Sequence, residues 1–196
     1  MRLSLLLLII VSLSACNLGS SPEPTEQVSD APTTTPSLDL ADQEAIIPYW
    51  QSFGIDAITP TEDDYVFIEQ LVLRRMTLEA DPSGDVSSDL QSALGTLIGA
   101  DNIWQANELY IDVLTVEGDL ATVALTGEVQ AVGGAILSIV PTQFFLTIFE
   151  QVTINRAIVT LNGEALYNIG IANDTQARPA DFVTTREAFF SDLSQD

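Results

Sequence analysis

The chain has no histidine and no lysine, and Cys16 is its single cysteine. These shortages exclude much reactive chemistry. Nucleophile–base pairs of the Ser–His or Cys–His kind lack their base, and transition-metal sites lack imidazole and all but one thiolate. A disulfide within the chain is impossible. Positive charge is scarce as well, with 6 Arg against 28 Asp and Glu and a formal net charge of -22. Such a surface repels phosphate backbones, which argues against nucleic acid as a partner. No cofactor and no metal are implied, and no catalytic residue stands out.

What is present begins at the amino terminus. Met1-Arg2 is followed by LSLLLLIIVSL, an apolar run too short for an ordinary spanning helix, and then by Leu13-Ser14-Ala15-Cys16. Small residues directly before a cysteine resemble the lipobox of bacterial lipoproteins. The resemblance implies a diacylglyceryl group on the Cys16 sulfur, cleavage before it, and acylation of the new amino terminus. An acyl chain contributes about 0.8 kcal/mol per buried methylene, and two or more give stable anchoring. Residues 1–15 are thus expected to be a signal peptide, and Cys16 a lipid attachment site on the extracytoplasmic face of the cell membrane. Loss of Arg2 with that peptide takes the formal charge from -22 to −23.

From 16 to 43 the composition turns to Ser, Pro, Thr, Glu and Asp, with too little apolar surface to offset the entropy of ordering it. A disordered tether is expected, about 30 Å in mean reach. Residues 44–196 are left for one domain, with a core at about 65–190.

The apolar weight of that domain is concentrated between Asp119 and Gly163. LATVALTG reads as a strand ended by Gly127, and RAIVTL as a strand ended by Asn162-Gly163. Between them Leu137, Val140, Phe144, Phe145, Ile148 and Phe149 recur at helical spacing. Ser138, Thr142, Gln143, Thr147 and Glu150 share the other side. No charge interrupts Val129–Phe149, yet Pro141, Thr142 and Gln143 near its middle argue against a membrane span. A helix packed on a sheet is expected.

Upstream, Ile46–Trp50 reads as either a strand or a loop plugging the core. Tyr65–Leu78 fits a strand leading into a helix, or one helix. Val86, Leu90, Ala93, Leu94, Leu97 and Ile98 share one helical face, with Asp85 or Ser87 as cap and Gly99 as stop. Leu109–Val116 and Leu120–Leu125 flank Glu117-Gly118-Asp119 as a hairpin. GEALYNIG is expected to return as a short strand, and Phe182, Val183, Phe189, Phe190 and Leu193 to pack a last element. The pattern predicts an α+β fold, a single compact domain whose mixed β-sheet is covered on one face by two helices.

In this order the motifs resemble the GerMN domain found in bacterial lipoproteins. Leu73-Arg74-Arg75 matches its Arg-containing segment, Ala93–Gly99 its first helix end, and Val116–Val123 its strand turn. Phe145–Phe149 falls in its second helix, Ala157–Gly163 in its closing strand, and Thr184–Glu187 resembles a Thr-Arg-Glu element that often follows. Ala100 stands where the family usually has proline, and Pro141 lies before the expected second helix. The resemblance implies a non-enzymatic envelope domain that binds or positions other envelope proteins, and it carries over no catalytic residue.

The remaining candidates are carboxylates and arginines. Asp112 is the best-placed single acid in the hairpin, though an exposed strand explains it. Asp81, Asp85 and Asp89 surround a Gly turn without the spacing of a calcium loop, and helix capping is the simpler reading. Arg74, Arg75 and Arg156 are expected to pair with local acids, with an anion or partner contact as the alternative. Two alternatives to a protein-binding role stay open: an extracellular hydrolase using two carboxylates across a cleft, and a solute- or cation-binding lipoprotein.

Overall fold

The computed structural model describes residues 46–67, 71–131, 134–169 and 177–193. Expectations for the signal peptide, Cys16 and the tether lie outside them. In chain order the elements are strands β1 (Pro48–Gly54), β2 (Tyr65–Phe67) and β3 (Leu71–Thr77), helix α1 (Val86–Gly99), strands β4 (Gln105–Glu117) and β5 (Leu120–Gln130) and helix α2 (Gly134–Phe149). Strands β6 (Arg156–Leu161) and β7 (Glu164–Ala165), a 3-10 turn at Leu166–Asn168, strand β8 (Thr184–Thr185) and helix α3 (Arg186–Leu193) follow.

The larger sheet has the order β4-β5-β6-β7, with β8 also on β6. Strands β4 and β5 form an antiparallel hairpin; β5 and β6 are parallel, which requires the crossover that α2 supplies. This is an α+β fold with a mixed sheet, as the patterning predicts. Along β5, Ala121, Val123 and Leu125 are buried while Thr122, Ala124 and Thr126 between them are not fully so. Ala157 and Val159 of β6 extend the buried face. Helix α1 packs on β4 and α2 on β5, sealing that face.

The first difference from expectation lies upstream. Among the described residues of Tyr65–Leu78 there is no helix: β2 and β3 are antiparallel, and β1, which begins inside IIPYW, completes a second sheet of order β1-β3-β2. Leu71, Val72 and Leu73 are consecutive and all buried. A strand covered on both faces has no polar side to alternate with, so its sequence shows no period of two.

That second sheet explains the other difference, on α2. Both α1 and α2 also touch β1, so the helices are layered between the sheets. Of the five residues assigned to the polar side of α2, only Ser138 is exposed, whereas Gln143 and Thr147 are 0% exposed. Their polar atoms are used. Gln143 Nε2 donates to the Trp50 carbonyl at 3.0 Å and to Asn102 Oδ1 at 2.9 Å. Trp104 Nε1 donates to Gln143 Oε1 at 2.6 Å, and Trp50 N–H to Thr147 Oγ1 at 3.1 Å. Asn102 Nδ2 reaches the Leu97 carbonyl at the end of α1, at 2.8 Å. The network ties both helices to β1, and its bonds are what make the burial of these groups tolerable. On the opposite side of α2, Phe145 stacks on Tyr167 at 4.8 Å and meets Phe189 at 5.8 Å.

Local details differ in instructive ways. Pro141 lies inside α2 rather than before it, so the helix lacks the bond that would run to the Leu137 carbonyl. Asp85 caps α1 as expected, its carboxylate accepting from Ser88 N–H at 3.0 Å. The helix ends at Gly99 but passes into extended Ala100 (φ -72, ψ 157), without a left-handed turn. Strand β5 does not stop at Gly127 but continues to Gln130. Gly127 has φ 124 and sits against a register shift in β4, where a Cβ would lie 2.2 Å from the Glu108 carbonyl oxygen. Asn162 clasps the same residue: Gly127 N–H donates to its Oδ1 at 3.1 Å and its Nδ2 donates to the Gly127 carbonyl at 2.8 Å. The glycine is required for this close approach, not as a terminator.

Candidate functional site

The residue expected to carry the lipid, Cys16, lies outside the described residues. The three singled-out arginines are all in ion pairs. Arg74 binds Asp64 at 2.6 Å and the Thr59 carbonyl at 2.8 Å. Arg75 grips Glu150 with two bonds, 2.9 and 3.0 Å, while Glu150 also accepts from Trp50 Nε1. Arg156 pairs with Asp119 at 2.6 Å. These contacts fasten β3 to the loop between β1 and β2 and to the end of α2, and β6 to the β4–β5 turn.

The candidate acids are structural or solvated. Asp85 is the cap of α1, and Asp89 accepts from Ser83 N–H at 2.7 Å, closing the turn before the helix. Asp112 is exposed at the second register shift of β4. A cleft of about 680 Å³ lined by Trp50, Glu62, Asp63, Asp64, Tyr65 and Arg75 does gather several carboxylates. Glu62 and Asp63 are exposed. Asp64 is held by Arg74, foremost through its hydrogen bonds, at a pKa of about 2, so it stays ionised and cannot act as a proton donor near neutrality.

A smaller cavity, about 230 Å³, is bounded by the 3-10 turn, the chain from Arg178 to Thr185, and α3. Its aromatic wall is fixed from behind, because Tyr167 is stacked on Phe145 in the core. Arg178 lies 4.6 Å from the Tyr167 ring centre and 4.2 Å from that of Phe182. Its backbone is clamped by Asn168, whose Oδ1 accepts at 2.8 Å and whose Nδ2 donates at 2.9 Å. Thr184 is 5% exposed, and among the described residues its hydroxyl has no hydrogen-bond partner of good geometry. Burial raises the Tyr167 phenol above its ordinary pKa, the Thr184 hydroxyl and Arg178 oppose that shift, and Asp192 adds to it. Among the described residues, neither Arg178 nor Asp192 joins an ion pair.

These cavity residues escape sequence reasoning because they are separated in the chain and meet only through folding. One signal was available. The scarcity of positive charge that marks Arg74 marks Arg178 equally, and aromatic residues flank it at Tyr167 and Phe182. The Thr184–Glu187 element has a visible role beside the cavity: Arg186 donates to the Ile154 carbonyl at 2.8 and 3.0 Å and to the Gln151 carbonyl at 2.7 Å, binding the chain that leaves α2.

No helix among the described residues is long and apolar enough to cross a membrane. No protein-family model matches the chain, and no curated protein matches it. The GerMN resemblance is therefore carried only by the residues quoted for it. Among solved structures the chain is similar to a Clostridium perfringens protein provisionally named a lipoprotein, whose crystal structure was determined at 2.5 Å. The TM-score is 0.39 at 12% identity, over 73% of this chain and 89% of that one.

Proposed function

We propose that the chain is a lipid-anchored extracytoplasmic protein whose GerMN-like domain, without enzymatic activity, binds or positions other proteins of the cell envelope. The anchoring half is supported by Leu13-Ser14-Ala15-Cys16 after an apolar run, in a chain with no other cysteine. The GerMN half is supported by element order. Helix, strand pair, helix and strand follow one another as α1-β4-β5-α2-β6, with the quoted motifs at their ends.

The observation that carries the protein-binding role is β4. It is the outer strand of the larger sheet, with its other edge unpaired among the described residues. Tyr110 and Val113 on it are 54% and 44% exposed, and they pair with Thr126 and Ala124 on the sheet face that the helices leave uncovered. An unpaired strand edge bordered by apolar side chains is suited to strand addition or to packing under another chain. The two register shifts in β4 narrow the length available for pairing and so favour one docking register.

A photo-crosslinking residue in place of Tyr110, in the full-length protein in its own membrane, tests this. One discrete adduct with an envelope protein is expected from position 110, and none from Val152, which is 83% exposed on the loop after α2. Equal adducts from both positions, or none from 110, would remove the reading.

A further inference from the structure

The cavity beside α3 combines features that a merely structural corner does not need. A guanidinium is held in place by two aromatic rings, a buried hydroxyl lacks a hydrogen-bond partner of good geometry, and a carboxylate stands at the same cavity without a counter-ion among the described residues. The Tyr167 and Phe182 rings, set edge to face at 85°, hold the Arg178 guanidinium, whose planar fork of N–H donors matches a carboxylate. In a chain this rich in acids, an arginine without an acid partner among the described residues is unusual. The Thr184 hydroxyl, buried beside the Tyr167 phenol, supplies a further donor or acceptor at the same end. Asp192 lies in the last turn of α3, where the helix dipole adds to its negative charge and favours a cation nearby. Phe182, Phe189 and Leu193 provide apolar wall. The volume, about 230 Å³, is below the usual range of drug-sized pockets and limits the occupant to a small molecule.

We propose that this cavity is a binding site for a small zwitterion of the α-amino-acid class. Its carboxylate is received by Arg178 and Thr184, its ammonium by Asp192, and its apolar side chain by Phe182 and Phe189. A plain carboxylate would leave Asp192 unmatched and face its repulsion, and a plain amine would do the same toward Arg178. One molecule carrying both charges satisfies both. This site is separate from the β4 edge and does not depend on it, so a failure at either leaves the other standing.

The test is equilibrium dialysis of the full-length protein in detergent micelles against labelled L-leucine, L-phenylalanine and L-alanine. Competition by leucinamide, which lacks the carboxylate, and by 4-methylpentanoate, which lacks the ammonium, separates the two charges. Saturable binding of at least one amino acid at one per chain is expected, with either analogue at least tenfold weaker. Arg178→Gln and Asp192→Asn replace exposed side chains and are each expected to weaken binding at least tenfold while leaving the thermal midpoint unchanged. Thr184→Val is expected to weaken it less. No saturable binding at millimolar concentration would overturn the proposal. So would 4-methylpentanoate binding as tightly as leucine, or both charge variants binding like the unaltered chain.

Discussion

Replacing Gln143 with leucine asks whether the second side of α2 is a buried polar junction or an accidental burial. Gln143 makes three hydrogen bonds, to Trp104 Nε1, the Trp50 carbonyl and Asn102 Oδ1. Asn102 Oδ1 would keep its bonds from Ser52 N–H and Oγ, at 3.1 and 3.2 Å. The Trp104 N–H and the Trp50 carbonyl would lose theirs. Each stranded buried group costs about 1–3 kcal/mol, against a gain below about 1 kcal/mol from the added apolar contact, so a net loss of about 3 kcal/mol is expected. That is a large part of the ~5–15 kcal/mol by which a domain is usually stable. Removing both partners is gentler than removing one, so Trp104→Phe combined with Gln143→Leu is expected to fall short of the summed losses by about 1 kcal/mol or more. Urea unfolding followed by far-ultraviolet circular dichroism measures all of this, with Gln91→Ala on the exposed side of α1 as a control expected within about 0.5 kcal/mol. A Gln143→Leu protein as stable as the unaltered one would refute the layering of α2 between two sheets.

Two further perturbations test other contacts. Asp64 binds fewer protons folded, at a pKa of about 2, than at its ordinary 3.8, so its stabilisation is complete above about pH 4 and is lost as pH falls through about 2. With Arg74 28% exposed, solvent screening leaves only a small contribution, and Asp64→Asn is expected to flatten the stability loss between about pH 4 and 2; an unaltered acid slope would contradict this. Gly127→Ala forces a Cβ onto the Glu108 carbonyl at φ 124 and is expected to cost more than about 2 kcal/mol, whereas Gly95→Ala in α1, with open space around it, is expected to stabilise by about 0.5–1 kcal/mol. Equal urea midpoints for the two glycine variants would refute the close approach.

What the sequence disclosed and what it hid have a common physical origin. The hairpin, α1 and the closing strand were legible because each keeps one wet face: Thr122 and Ala124 alternate with Ala121 and Val123, and Asp85 marks a cap. Strand β3 was not, because Leu71, Val72 and Leu73 are covered on every side and period is lost. The polar residues of α2 misled for the same reason. Gln143 and Thr147 look like a solvated face until a second sheet lies over them, and no local pattern distinguishes a polar side chain bonded to water from one bonded to a distant backbone. The arginine pairs were foreseeable from charge scarcity. The cavity was not, since Tyr167, Arg178, Thr184 and Asp192 become neighbours only through tertiary packing.

The central claim is that this acidic α+β domain is held at the membrane through Cys16. Metabolic labelling with a fatty acid, followed by membrane fractionation, compares the unaltered chain with Cys16→Ala. The account predicts that the unaltered protein takes up label and sediments with membranes. In the variant, both the label and the shortened amino terminus that begins at residue 16 are expected to be lost. Equal label in the two proteins would contradict it.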